Sequence, residues 1–274
     1  MLKRYIDNRI NILTALWVWW ALLLIPINSL ANTDLSTKFE YTLRVSVDYA
    51  KRESYLKRSG AQPSPYEKLL KSVNGSVELA DIVDTVNFSK DQYSIRSIGT
   101  LNGAIGLALS SQSLLRDSIG KRTPTGFFSI NYQEKRGSTE PFASKFDVNK
   151  KQLNFSVNTV QVGSASVQGS LLDPIVIPYL FIGKSFPGKS TVVQLTDGRS
   201  IKRYSLIRAE SIDFPHNGSK VRAIRFYKTT SKEDPTSLQV WFSEKEHAPL
   251  RYIIGLKDEY GVTLQVDLKK IPRF

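Results

Sequence analysis

Cysteine is missing from all 274 residues. Its absence excludes a disulfide scaffold, a thiolate nucleophile and every zinc site that draws on sulfur. Histidine is almost as scarce, with His216 and His247 alone, so a metal cage of imidazoles is excluded as well. The same scarcity weighs against acyl transfer, in which a serine needs a base, usually histidine, itself held by a third group. His216 lies in FPHNGSK and His247 in SEKEHAP, and neither adjoins a nucleophile elbow. Both read as turn residues, His247 as a solvated one. Gly163-Ser164-Ala165-Ser166 lacks the G-x-S-x-G spacing. Gly99, Gly103 and Gly106 do not match the phosphate-cradling spacings either. No cofactor is called for.

Long apolar runs are scarce too. LTALWVWWALLLI, residues 13 to 25, falls short of the roughly 20 residues that span a bilayer. It follows Lys3, Arg4 and Arg9, and it precedes Pro26 and the small-residue pair of Ser29-Leu30-Ala31. That arrangement reads as a secretory signal over residues 1–31, cut between Ala31 and Asn32. With no cysteine there is no lipoprotein anchor. The expectation is a single exported β domain over residues 32–274, periplasmic and peripheral to the membrane rather than spanning it.

What the sequence does have is base and alternation. Lys and Arg number 38 against 25 Asp and Glu, a formal charge of +13, which biases the surface toward anionic partners. Hydrophobic residues make up 41%, enough for a real core. They recur at every second position, the period of a strand with one buried face. Tyr41, Leu43, Val45, Val47 and Tyr49 alternate with polar residues. So do Phe128, Ile130 and Tyr132, then Leu153, Phe155 and Val157. Further strands are expected at 75 to 87, 92 to 99, 190 to 196, 200 to 208 and 220 to 228, with Asp197-Gly198 and Asn217-Gly218 as turn signals. VWFSEKEHAPLRYIIGLKDEYGVTLQVDL, residues 240 to 268, reads as a β-meander.

Three stretches interrupt the alternation. Residues 50 to 72 carry Lys51, Arg52, Lys57 and Arg58 before a Pro-x-Pro, a basic excursion with a short helical piece. Those four cations form the candidate ligand-binding rim, meeting anionic headgroups or polymer. Residues 101 to 117 (LNGAIGLALSSQSLLRD) have apolar residues at mixed spacing and are expected to form a short helix. In DPIVIPYLF, Asp173 as N-cap and Pro174 at the first helical position start a helix that Pro178 keeps to a turn or two.

Paired acids could still serve a glycosidase, which needs two carboxylates and no fixed spacing in sequence. Asp81 with Asp84, Glu233 with Asp234, and Asp258 with Glu259 are the close pairs. All are expected in turns or strand ends, as solvated clusters. RAIRFYK, residues 222 to 228, interleaves base and aromatic as a nucleic-acid stacking platform does. Export removes the chain from cellular nucleic acid, so no nucleic-acid partner is expected.

Several segments together resemble an exported bacterial family without an assigned activity, domain of unknown function 3108. They are FEYTLRVSV, YSIRSIGTLNGAIGLAL, DSIGKRTPTGFFSINYQEKR, DPIVIPYLF, TDGRSIKRYSL and VWFSEKEHAPLRY, spread over most of residues 38 to 269. The resemblance implies an envelope-facing β-sheet protein and supplies no catalytic residues. The combined expectation is a mainly β protein, a strongly curved antiparallel sheet or incomplete β-barrel with one or two short helices at its concave side or mouth. Such a hollow suits a non-catalytic binding or assembly factor for a lipid or an anionic envelope component, with a possible envelope protein partner. The alternatives are a carbohydrate- or peptidoglycan-active hydrolase using paired carboxylates, and a structural module for protein interaction.

Overall fold

A computed structural model describes residues 34–60, 62, 76–103, 113–124, 126–230, 234–256 and 260–273. The signal segment expected over residues 1–31 lies outside them. So do Glu233, Asp258 and Glu259 of the acid pairs, and most of residues 61 to 75.

Among the described residues the alternating segments fold into fifteen strands. The first eight are β1 (Leu35–Val47), β2 (Ser76–Phe88), β3 (Gln92–Leu101), β4 (Ser113–Thr123), β5 (Gly126–Arg136), β6 (Phe142–Asp147), β7 (Gln152–Val157) and β8 (Val160–Ser166). The last seven are β9 (Leu171–Leu172), β10 (Ser190–Thr196), β11 (Ile201–His216), β12 (Ser219–Lys228), β13 (Ser237–Ser243), β14 (Pro249–Gly255) and β15 (Val262–Leu268). They form one sheet, in the order β8-β7-β6-β5-β4-β3-β2-β1-β15-β14-β13-β12-β11-β10-β9. Every pairing is antiparallel except β9 with β10. Two meanders therefore meet where the first strand pairs the last, from Tyr41↔Leu268 to Val47↔Val262. The outermost strands, β8 and β9, do not pair with each other, so the sheet stays open as an incomplete barrel.

A segment through residues 171 to 186 lies against the concave face and fills it. Leu172, Ile175, Val176 and Tyr179 are buried. The Tyr179 hydroxyl donates to Asp84 (2.7 Å) and shares a hydrogen bond with Tyr41 (2.9 Å). Phe181 packs on Phe226 and Phe242, with ring centroids 4.6 and 4.9 Å apart. The segment thus ties β1 and β2 to β12 and β13 from inside, and each fully buried aromatic stabilises it by about 1.5–3 kcal/mol. It does not form the expected helix. Pro178 has no N–H to continue one, and the chain makes turns around a single 3-10 turn, Ile177–Tyr179. Asp173 does cap those turns, accepting from the Ile175 N–H at 3.2 Å.

The basic excursion opens with α1 (Tyr49–Ser59), a real helix between β1 and β2. The Asp48 side chain accepts from the Lys51 N–H, and Gly60 ends the helix at φ 66°. That positive φ is the left-handed C-cap for which glycine is suited. Tyr55 packs on Tyr260 at 4.5 Å, which holds α1 at the end of the β1–β15 pair. No helix among the described residues is long and apolar enough to cross a membrane.

Of the stretch 101 to 117, where a short helix is expected, Leu101 ends β3 and Ser113 to Asp117 begin β4; residues 104–112 between them lie outside the described residues. One expectation of phase fails for an identifiable reason. In β5 the alternation changes phase at a bulge opposite Ile119 and Gly120. Ser129 and Tyr132 are both buried, whereas Phe128 and Ile130 are half-buried on the other phase. A β-bulge inserts one extra residue, so the side chains beyond it exchange faces. Gly120 is needed there because a Cβ would collide with the Phe128 carbonyl oxygen and stand 2.5 Å from the Tyr93 ring.

Candidate ligand cavity

The strands β2 to β5 line up four inward residues in a single row. Asp84 pairs in register with Ser97, Ser97 with Arg116, and Arg116 with Glu134. Cross-strand neighbours on one face sit about 5 Å apart, so an acid, a hydroxyl, a guanidinium and a second acid run across the concave wall. Asp84 occupies the phase that elsewhere on β2 carries Ala80, Ile82 and Val86, and Ser97 the phase of Tyr93 and Ile95 on β3.

Arg116 is the centre of this row. Its Nη2 donates to Ser97 Oγ at 2.9 Å. Its Nε is buried and has no hydrogen-bond partner among the described residues, and no carboxylate among them lies within ion-pair distance. Burial works against the charge, but nearby Tyr252, Asp84, Tyr132 and Glu134 outweigh it and hold the guanidinium ionised. Burial likewise raises the Asp84 carboxyl above its ordinary value, against the pull of Arg116, Ser97 and Tyr179. Glu134 is engaged elsewhere, by the Tyr132 hydroxyl at 2.5 Å and by Arg136.

Arg116 faces a cavity of about 500 Å³ whose walls include Leu43, Ile82, Leu114, Ile254, Leu264 and Val266. Exposed Arg136 and Arg199 stand at its rim. The Arg199 guanidinium lies over the Phe142 ring at 4.1 Å. The turn before it, at Gly198 (φ 84°), is pressed onto β6: a Cβ there would meet Phe142 at 2.8 Å. A smaller hollow of about 150 Å³ adjoins the first, and Arg116, Pro174, Tyr252 and Ile254 line both. Its far side is Leu195, Tyr204, Lys228 and Leu238. Lys228 is buried there and paired with Asp234 at 2.8 Å, so its charge is met locally.

A second polar cluster fastens the crossing segment rather than facing open space. Asp173 accepts from Ser118 and Ser129 at 2.5 Å each and from the Tyr93 hydroxyl at 3.5 Å. Burial raises its carboxyl above the ordinary range, against those hydrogen bonds.

No family model matches the chain, and no curated protein matches it. Among solved structures it is similar to a β-barrel-like protein of domain of unknown function 1849 from Brucella abortus. The likeness has 9% identity and a TM-score of 0.45, and it covers 84% of this chain and 95% of that one. The resemblance to domain of unknown function 3108 rests on the sequence motifs alone.

The rim residues expected from sequence sit apart from this cavity. Lys51, Arg52, Lys57 and Arg58 are all on α1; Lys57 and Arg58 are exposed in its last turn, and Arg52 is half-buried. Lys51 lines a separate cleft of about 620 Å³, with Asp48, Ser46 and Thr263 among its walls. None of the four lines the Arg116 cavity among the described residues.

Asp81 and Asp84 are not the solvated turn pair expected. Both are in the middle of β2 on opposite faces, Asp81 half-buried and paired with Lys269, Asp84 1% exposed. His247 is not solvated either. Its ring packs on Phe186 at 4.2 Å and its Nδ1 is 3.0 Å from the Phe181 carbonyl oxygen. Among the described residues no group of acids and histidines is arranged to hold a metal.

Proposed function

We propose that the protein is a non-catalytic cell-envelope binding protein that holds an amphipathic, anionic ligand inside its curved sheet. One observation carries the reading: Arg116, an ionised and incompletely paired guanidinium, lines an aliphatic cavity. A buried charge without a full partner set is costly, and an anionic group from a ligand would complete it with charge-assisted hydrogen bonds. The aliphatic walls would take the ligand's apolar part. Arg136 and Arg199 at the rim favour approach of an anion. On the outside, Lys51, Arg52, Lys57 and Arg58 of α1 would meet anionic headgroups or polymer at the envelope. Exposed Val160 and Val162 on the edge strand β8 offer a surface for an envelope protein partner.

A hydrolase would have to use Asp84 and Glu134, the acids flanking Arg116. They are three strand steps apart, roughly 14 Å at about 4.8 Å per step, wider than the roughly 5 to 10 Å of glycosidase pairs. The geometry favours binding over that chemistry.

Native mass spectrometry of the protein purified from its own envelope tests the proposal. The expected result is a co-purified amphiphile retained by the protein and lost from Arg116→Met. A clean apo mass, with no uptake of alkyl phosphate from solution, would sink it.

A further inference from the structure

Arg116 stands between the two hollows rather than at the end of either. It shares that waist with Pro174, Tyr252 and Ile254, which also line both. A ligand with its charge at one terminus would fill one hollow and leave the other empty. The larger hollow, about 500 Å³, has mainly apolar walls, with Glu134, Asp197, Arg136 and Arg199 also in its lining. The smaller, about 150 Å³, is walled by Ile177, Leu195, Leu238 and Val240 as well. Apart from Arg116, its cation among the described residues is Lys228, which is already paired with Asp234 and lies over the Tyr204 ring at 4.5 Å. The smaller hollow therefore presents no competing site for the anion, and apolar surface is what it has to offer.

We infer that the ligand carries its anionic group internally, as a phosphodiester does, with a long apolar arm in the larger hollow and a short one in the smaller. This rests on the cavity being a ligand site and adds which class of amphiphile it selects. The guanidinium suits a diester anion because two of its N–H groups can meet the two non-bridging oxygens in one plane. The guanidinium lines both hollows, and beyond the Nη2 bond to Ser97 it has further N–H groups for that contact. Tyr252 lies beside Arg116 and burial raises its phenol above the ordinary range, so it stays protonated as a further donor.

Two probes separate the possibilities, tetradecyl phosphate with one arm and tetradecyl butyl phosphate with two. Affinities are measured by isothermal titration calorimetry on the full-length protein and on Leu195→Phe, which narrows the smaller hollow from a half-buried position. The two-armed probe is expected to bind the unaltered protein about tenfold more tightly, from burial of the short arm. Leu195→Phe is expected to erase that advantage while leaving the one-armed probe's affinity unchanged, which also shows that the variant is folded. Equal affinities for both probes in the unaltered protein would overturn the inference and leave the cavity reading intact. Failure of both probes to bind the unaltered protein would overturn both. If Leu195→Phe binds neither probe, Leu238→Phe replaces it as the test of the smaller hollow. An unchanged preference for the two-armed probe in Leu238→Phe would overturn the assignment.

Discussion

Two walls of one hollow, built from the same kind of strand, carry opposite chemistry. The inward side of β12 to β15 is dominated by Ile224, Phe226, Phe242, Leu250 and Val266, all buried, with Phe181 of the crossing segment packed on the two phenylalanines. The inward side of β2 to β5 includes Asp84, Ser97, Ser118, Ser129 and Glu134, as buried as their apolar neighbours, and the half-buried Arg116. Hydrophobic burial accounts for the first wall apart from Lys228, whose charge Asp234 meets at 2.8 Å. It cannot account for the second, since each buried ion costs several kcal/mol before its partners offset it. Part of that cost is recovered by structure: Asp173 ties Ser118, Ser129 and Tyr93 to the crossing segment. In the row through Arg116, Asp84 is likewise held by Tyr179 of the crossing segment, but Arg116 makes no bond to that segment among the described residues, and that difference is what the proposed ligand role of Arg116 rests on.

Substitution on each wall separates the two roles. Phe226→Ala on the apolar wall removes a ring that touches Phe181, Phe186 and Phe242. It is expected to cost about 3–5 kcal/mol of stability by urea unfolding. A loss below about 1 kcal/mol would mean that this wall is not what holds the sheet curved around the crossing segment. Arg116→Met on the polar wall is expected to change stability by no more than about 1 kcal/mol, because an apolar side chain of similar volume replaces a poorly paired ion. Affinity for alkyl phosphate should fall about 100-fold in the same variant. The opposite pattern, lost stability with binding intact, would make Arg116 a structural residue like Asp173.

The pH dependence sharpens the contrast from the side of Asp173. Burial raises its carboxyl above the ordinary value of 3.8 in the folded protein. Between that value and the raised one, the folded state holds more protons than the unfolded state. Stability therefore falls as pH rises through the window, with no penalty below it and the full penalty above it. The facing phenols, Tyr93 and Tyr132, are pushed above their ordinary range by burial and remain neutral throughout. Asp173→Asn is expected to flatten the stability profile above about pH 4 relative to the unaltered protein. Urea titrations at a series of pH values measure it, and parallel profiles would show that Asp173 is not the titrating group.

Alternation makes most of the sheet legible in sequence, and it fails where polarity and phase part company. β1, β3, β12 and the closing meander follow the period-2 rule, with Leu238, Val240 and Phe242 in one phase as expected. β4 breaks it: Leu114, Arg116, Ser118 and Gly120 face inward while Leu115 and Ile119 are 37% and 51% exposed. With polar residues inside and apolar ones outside, its pattern reads as mixed spacing, and the site's central residue is hidden within it. Asp84 is readable in principle, as an acid in phase with Ala80, Ile82, Val86 and Phe88. The bulge opposite Gly120 is not, because a phase change in β5 depends on its partner strand. Asp173 is legible as a cap, but its contacts with Ser118, 55 residues away, exist only in the folded sheet.

The smallest effect belongs to the basic face of α1. Lys57 is 76% exposed and pairs with Glu53 one turn earlier at 3.4 Å, a contact of i,i+4 type. Such pairs contribute about 0.2–0.5 kcal/mol, so Lys57→Ala with Arg58→Ala should shift stability by less than about 1 kcal/mol. Association with vesicles is a different matter, since each basic residue near an anionic surface contributes about 1 kcal/mol. The double variant is expected to bind anionic vesicles about tenfold more weakly than the unaltered protein at low salt. That difference should shrink as ionic strength shortens the screening length. Alkyl phosphate affinity should stay the same, because neither residue lines the Arg116 cavity. Equal vesicle binding by the two proteins at low salt would leave α1 as an ordinary solvated helix and confine anion recognition to the interior.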